Sequence, residues 1–470
     1  MSAIRRPNTA PDQMGATNTP KNPVDAARDD ERLETLQHAT FGYFERVANP
    51  SNGLVRDNTR SDSPASIVGS GLAMASYVVA AERGYVPRED AVERVLATLR
   101  FFWNAEQSAG AQATGYQGFF YHFLDMRTGV RAPGTELSTL DSAVVFIGGL
   151  VAAQYFDRDT AAERELRVLA DAVYRRADWT WMLDAGGAVG HGWSPENGFL
   201  PYAYRGYNEA LFLYILALAS PTHAIPSDSY AAWLSTYEWK TIYGYEFLYA
   251  GPLFIHQLSH VWIDFRGIQD KFMRAKKIDY FENSRRATYV QQEYARRNPR
   301  DFDGYGEHSW GITASDGPGP ARCKVRGKEQ TFHAYCARGV PDGPDDGTLS
   351  PWAVVTSLPF APEIVLPALE YLDRTLPEMT GEYGYKCSFN PSFCGNAATV
   401  GEPHQPGKTG SDSKQGAGWL SQGYYAIDQG PVVLMIENYR TGLIWQLMRS
   451  CPFILEGLRR AGFQGGWLAV

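Results

Sequence analysis

From Asp30 onward, apolar residues recur at intervals of three and four through most of the chain, a period that only helices can satisfy. Val92, Val95, Leu96, Leu99 and Trp103 mark one face of a segment over 86–106, where Pro87 stands at a first helical position and Glu89 and Asp90 fill the first turn. The same pattern returns over 138–156 through Leu140, Val144, Ile147 and Val151, and over 161–177 through Leu166, Leu169, Ala170 and Val173. Further helices are expected over 31–47, 64–84, 208–219, 228–236, 256–264, 279–296, 362–374, 431–448 and 452–461, roughly a dozen in all. Alternating strand patterns are confined to short pieces near 118–123 and 187–193.

Helices paired by loops, without a short repeat, fit a closed toroid or a solenoid. A solenoid would show similar repeats and polar caps, whereas these loops are long, unequal and rich in Trp, Tyr, Gly and acids. The expected fold is therefore all-α, an (α/α)6 barrel with long loops at one mouth and a few short strands. With 470 residues, 44% of them hydrophobic, the chain can bury one large core. The expected organisation is a disordered tail over 1–30, polar and without a hydrophobic leader core, followed by a single barrel domain over 31–470.

A net charge of −8 and a pI near 5.7 argue against nucleic acid as a partner, because a phosphate backbone calls for a basic footprint. The richest apolar run, 210–219, is too short to span a bilayer, so no membrane partner is expected. Four of the five cysteines fall in two near pairs, Cys323 with Cys336 and Cys387 with Cys394, inside Gly/Pro-rich loops over 315–350 and 386–418 that disulfides could staple. Cys451 reads as a buried free thiol. Localisation is expected to be periplasmic or secreted if a signal peptide has been trimmed, and cytoplasmic otherwise.

The block 237–320 mixes carboxylates, aromatics and glycines more densely than a pure core requires, since burying unpaired polar groups is costly. Flat rings to stack on and charged groups to grip hydroxyls are what a sugar site needs. Glycoside hydrolysis calls for two acids, one to protonate the leaving oxygen and one to drive water or attack carbon. Glu209 begins an otherwise apolar helix, preceded by Tyr202, Tyr204, Arg205, Tyr207 and Asn208. It is either a desolvated general acid or a first-turn residue that complements the helix dipole. Asp428, just before Gly430 and Pro431, is either a cap or a pocket base. Asp141, five residues after Glu136, is a third acid at the polar start of an apolar helix. In a helical toroid the three could converge at one mouth.

Competing acids are Glu246, Asp264, Glu282, Asp303 and Glu307, of which Asp264 beside Arg266 reads as a structural pair. His256 and His260 have the spacing of a zinc pair, but Gln257 stands where a metalloprotease motif has Glu and no third ligand is evident, so neither metal nor cofactor is expected. Gly69-Ser70-Gly71 lacks the context of a dinucleotide fingerprint and reads as close helix packing.

Several ordered blocks carry a family resemblance: STLDSAVVFIGGL, YNEALFLYILALASPTHAIP, GPLFIHQLSHVWIDFRG, DYFENSRRAT, GYGEHSWGITASDGP, DGTLSPWAVVTSLPFAPEIVLPAL and IDQGPVVLMIENYRTGLIW. Together they resemble the glycoamylase-like group, and within it glycoside hydrolase family 144, the bacterial β-1,2-glucanases, over roughly 33–468. The resemblance implies inverting hydrolysis of β-1,2-glucan to short sophoro-oligosaccharides, endo favoured over exo. It makes Glu209 the general acid and Asp428 or Asp141 the partner that drives water. Trp262, Arg286, Trp310, Tyr383, Tyr207 and Glu246 are the expected substrate contacts. Exo action or transglycosylation on this or another glucan, and non-catalytic glycan binding, are the alternatives.

Overall fold

The computed structural model describes residues 23–394 and 418–469. Its helices are α1 (Pro23–Val47), α2 (Ile67–Arg83), α3 (Arg88–Asn104), α4 (Thr139–Tyr155), α5 (Ala161–Arg175), α6 (Leu211–Ala219), α7 (Asp228–Leu234) and α8 (Leu258–Trp262). They continue with α9 (Lys271–Lys276), α10 (Tyr280–Arg297), α11 (Pro351–Thr356), α12 (Pro362–Thr375), α13 (Ala426–Arg440), α14 (Leu443–Arg449) and α15 (Pro452–Arg460). Strands are two to five residues long and make small antiparallel sheets, of which the largest joins Gly115–Tyr116, Phe119–Tyr121, Leu137–Ser138, Gly192–Ser194 and Gly198–Phe199.

The helices divide by how much of their circumference is apolar. All nine residues of α6 are buried, α4 is buried from Thr139 to Ala152 except Leu140, and α2 from Ile67 to Ala80. A helix apolar all round must be enclosed by others. Accordingly α2 packs on α4, α4 on α6 and α6 on α8; α8 and α11 both meet α13, and α13 returns to α2. Gln257, at the start of α8, donates its amide to Ala353 O at 2.6 Å and so also ties α8 to α11. One-sided helices cover this circuit: α1 lies on α13, α3 and α5 lie against α2 and α4, α12 on α11, and α15 on α6.

Two of the enclosed helices begin alike. A short strand ends in a serine that caps the helix: Gly69 N–H donates to Ser66 Oγ and Asp141 N–H to Ser138 Oγ, both at 3.3 Å. These capped starts of α2 and α4 face the start of α13, where Ala426 N–H donates to Asp57 O at 2.8 Å and Asn58 bridges Tyr425.

Several expectations need correction. Residues 23–30 of the expected tail are helical, because α1 extends to Pro23; residues 1–22 lie outside the described residues. The single helix expected over 431–448 is two: α13 begins upstream of Pro431, and Gly442, at φ +74°, breaks the chain before α14. The helix expected over 256–264 is a 3-10 turn, Leu253–His256, followed by the short α8. Short α9 and α11 escaped the periodicity because six residues hold too few turns to show one. The disulfide joins Cys323 to Cys394, so it links the two Gly/Pro-rich loops instead of stapling each; Cys336 and Cys387 are free, as is the buried Cys451.

Gly71 does serve close packing. A Cβ at Gly71 would lie 2.5 Å from Val144 O, and one at Gly148 would lie 2.1 Å from Gly71 O. Gly148→Ala should destabilise the protein by about 1–3 kcal/mol in denaturant melts, because backbone must separate at the α2–α4 crossing. Gly149→Ala, whose nearest neighbour would be a Leu99 methyl at 3.3 Å, should cost much less.

Candidate active site

A cavity of about 630 Å³ opens at the capped starts of α2, α4 and α13. Asp57, His122, Glu136, Asp141, His191 and Tyr204 line it, together with Asp316, Tyr335, Trp419 and Tyr425. The volume lies in the range of small-ligand pockets.

Asp141 sits in the first turn of α4, where the Ser138 cap fixes its backbone, and its Oδ2 is 3.4 Å from His122 Nε2. The other ring nitrogen of His122 is 2.8 Å from Glu136 Oε1, and the ring stacks on Phe123 at 4.0 Å. Burial disfavours the charged imidazole, yet Asp141, Glu136 and Asp57 together push the His122 pKa up to about 9. Asp57 is itself pushed up, chiefly by burial.

Glu209 occupies the turn just ahead of α6, within electrostatic reach of the cavity residues Asp141 and Tyr204. Burial raises its pKa, the Glu209 backbone N–H opposes that, and the Asp141 charge raises it further. Ser259 Oγ donates to Glu209 O at 3.0 Å and anchors the turn to α8. Asp428, in the first turn of α13, is fully buried, and apart from the Cys387 thiol its carboxyl oxygens meet no hydrogen-bond partner among the described residues. Burial pushes its pKa well above the carboxylate range; the Cys387 thiol opposes this, and the charges of Asp57 and Asp316 add to it. Tyr335 and Asp57, which line the cavity, both lie within its electrostatic reach. Asp141 thus lines the cavity, while Glu209 and Asp428 stand behind it, each within electrostatic reach of residues that do line it.

The expected substrate contacts are not brought there. Trp262 is 1% exposed and packs on Phe212 in the main core, and Trp310 is buried in a second core cluster beside α11. Arg286 is held on α10 by Glu282 Oε1 at 2.8 Å and by Glu246 O at 2.7 Å, and Glu246 is exposed on a hairpin. Tyr207 packs among Tyr237, His256 and Tyr280. Tyr383 lies against Tyr43, Tyr424 and Arg46 and lines a different cavity. Packing contacts surround these aromatics, and none of them lines the cavity.

Three of the competing acids, Asp264, Glu282 and Asp303, are engaged in ion pairs, and none of the five lines the cavity. Arg266 pairs with both oxygens of Asp264, at 2.8 and 2.7 Å, as its sequence position suggested. Glu282 pairs with Arg285 and Arg286, and Asp303 with Arg326. His256 and His260 are buried against Ala250 O and Ser284 Oγ, and desolvation lowers their pKa values to about 4 and about 3. Sequence reasoning missed His122, Asp57, Asp316, Tyr335 and Trp419. They stand in loops and at strand ends, where no periodicity points them inward.

Residues 201–452 match the family model described as "Putative glucoamylase". A solved "putative glucoamylase" from Bacteroides uniformis superposes with a TM-score of 0.79 at 32% identity, over 94% of this chain and 98% of that one. The chain belongs to this glycoamylase-like family. An endo-β-1,2-glucanase of Chitinophaga pinensis, solved with sophorotriose and glucose, is 28% identical with a TM-score of 0.78, over 94% of this chain and 99% of that one. An exo β-1,2-glucooligosaccharide sophorohydrolase of Parabacteroides distasonis is 28% identical over 92% of this chain. The chain spans 58% of the length of that curated relative. In this member of the glycoamylase-like family, Asp141, Glu209 and Asp428 come from the segments that carried the sequence resemblance.

The state of Asp428 has a consequence for stability. A carboxyl whose folded pKa is raised above its unfolded value destabilises the fold once pH exceeds the unfolded value. Asp428→Asn should therefore melt at a higher temperature than the wild type at pH 7, with the gain vanishing below pH 4.

Proposed function

We propose that the chain is a glycoside hydrolase that cleaves β-1,2-linked glucan with inversion, through a single (α/α)6-barrel catalytic domain over 31–470. The observation that carries this reading is that two carboxyls, Glu209 and Asp428, both raised by burial, each lie within electrostatic reach of acids that line the cavity. Glu209 is raised by burial and by the Asp141 charge, which suits a group that must hold a proton until the glycosidic oxygen needs it. Apart from the Cys387 thiol, the Asp428 carboxyl has no hydrogen-bond partner among the described residues, and a buried polar group so poorly satisfied is the exception in a folded protein. Water or a sugar hydroxyl donating to Asp428 would favour its ionised form, and the carboxylate would then take the proton of the attacking water, directly or through that hydroxyl. Asp141, already facing His122, keeps Glu209 protonated through its charge and is the less suited base.

The names of the two β-1,2-glucan relatives support the linkage, and internal cleavage is the favoured mode. Chain-end release of a disaccharide is the second reading. It is favoured by one observation: Asp316 to Pro320 and Tyr335, from a loop tied by Cys323–Cys394, form part of the cavity wall.

Incubation with linear β-1,2-glucan tests the reading. Internal cleavage lowers viscosity before much reducing sugar appears, whereas chain-end action releases disaccharide from the first turnovers. No hydrolysis of β-1,2-glucan would refute both. Glu209→Gln should lose about 10²–10⁴-fold in kcat, because an amide cannot donate the proton. Asp141→Asn should lower the Glu209 pKa, so the basic limb of the kcat profile should move to lower pH.

A further inference from the structure

We propose that His122 is a positioning residue: a fixed imidazolium, braced by Glu136, that holds the Asp141 carboxylate at the cavity wall and balances the charge that Glu209 experiences. Its ring nitrogens face two different acids, Nδ1 at 2.8 Å from Glu136 Oε1 and Nε2 at 3.4 Å from Asp141 Oδ2. A neutral imidazole carries one N–H and would turn a lone pair toward one of them; only the imidazolium offers a proton to both. Phe123, stacked at 4.0 Å, fixes the plane of the ring, and His122 N–H donates to Glu136 O at 2.9 Å, which fixes the two residues' backbones together.

The charged groups around the ring come from every neighbouring segment. Asp57 approaches from the loop after strand Val55–Arg56, with Arg60 acting on Asp57 in turn, Glu136 from the segment that leads into α4, and Asp141 from the first turn of α4. Arg131 acts on Glu136. Glu136 is raised by burial, but the hydrogen bond and charge of His122 take it below the usual carboxylate range. Three acids beside one imidazole outweigh the desolvation that would otherwise discharge it. His191, in the same cavity, shows the contrast. It stacks on Tyr204 at 3.9 Å, and burial takes its pKa below 6.5.

Because the folded pKa of His122 is raised, its contribution to stability is complete below about 6.5 and is lost as pH rises through about 9. Below that limit the cation stands beside Asp141. The consequence for catalysis rests on the assignment of Glu209 as the acid; the protonation of His122 does not.

The test is an NMR titration of the imidazole Cε1–H signals of the full chain, whose nine histidines are few enough to resolve. His122→Gln removes one signal and assigns it. Its wild-type midpoint is expected at about 9, with His191 below 6.5. Glu136→Gln should bring the first midpoint down toward 6.5 and leave the second in place, which identifies the signal even if His122→Gln does not fold. A wild-type midpoint at or below 6.5, or one that Glu136→Gln does not move, overturns the proposal. In kinetics, His122→Gln should move the basic limb of kcat to higher pH, opposite to Asp141→Asn, since it unmasks the Asp141 charge. An unmoved limb overturns the link to Glu209, whereas absence of any hydrolysis by the wild type overturns the function and leaves the titration standing.

Discussion

The starts of three enclosed helices are fastened to one another by backbone hydrogen bonds, and the geometry of the rim depends on that fastening. Ile67 N–H at the start of α2 donates to His122 O at 3.3 Å, Thr139 N–H at the start of α4 to His191 O at 3.1 Å, and Ala426 N–H at the start of α13 to Asp57 O at 2.8 Å. The acceptors are the backbones of three cavity residues. First-turn N–H groups have no partner within their own helix, so something outside must satisfy them. Here the satisfying groups also carry the side chains of the site, and cap and cavity are one construction.

That construction concentrates acids. Asp141 and Asp428 occupy first turns, Glu209 the turn before α6, Asp57 the loop just after strand Val55–Arg56, and Glu136 the position just before strand Leu137–Ser138. Helix starts tolerate carboxylates because their N–H groups and dipoles favour negative charge. Burial works against that tolerance, and the acids divide according to their partners. Glu136 has the His122 cation and is lowered; Glu209 and Asp428 have no cation beside them among the described residues and are raised. Inverting hydrolysis calls for one protonated and one ionised carboxyl, so in the proposed reaction Glu209 can serve as it stands, whereas Asp428 must be ionised by what the substrate or its water donates to it.

Much of this was legible in the sequence, and the remainder was hidden for physical reasons. Helical periodicity located α3, α4, α5 and α10 to within two or three residues, because each is long enough for a face to repeat. The polar starts of apolar helices pointed to Asp141, Glu209 and Asp428, since a charge at the edge of an enclosed helix has few places to go. The dense aromatic block of 237–320 supplies interior volume at its largest side chains. Trp262 and Trp310 fill the interior between helices, a demand for volume that composition cannot separate from a demand for stacking surface. His122 carried no signal, as its meaning comes from two acids 14 and 19 positions away. Cysteine proximity in sequence likewise failed to foretell the bond between Cys323 and Cys394, separated by 71 positions.

The most direct test of the account is a crystal structure of Glu209→Gln with a β-1,2-linked glucan oligosaccharide. The account predicts a chain seated in the cavity that His122, Asp141, Tyr335 and Trp419 line. A glycosidic oxygen should lie within hydrogen-bond reach of residue 209, about 2.6–3.2 Å, and a water or sugar hydroxyl should lie against Asp428. A sugar bound away from this cavity, or bound in it with residue 209 beyond reach of every glycosidic oxygen, would contradict it.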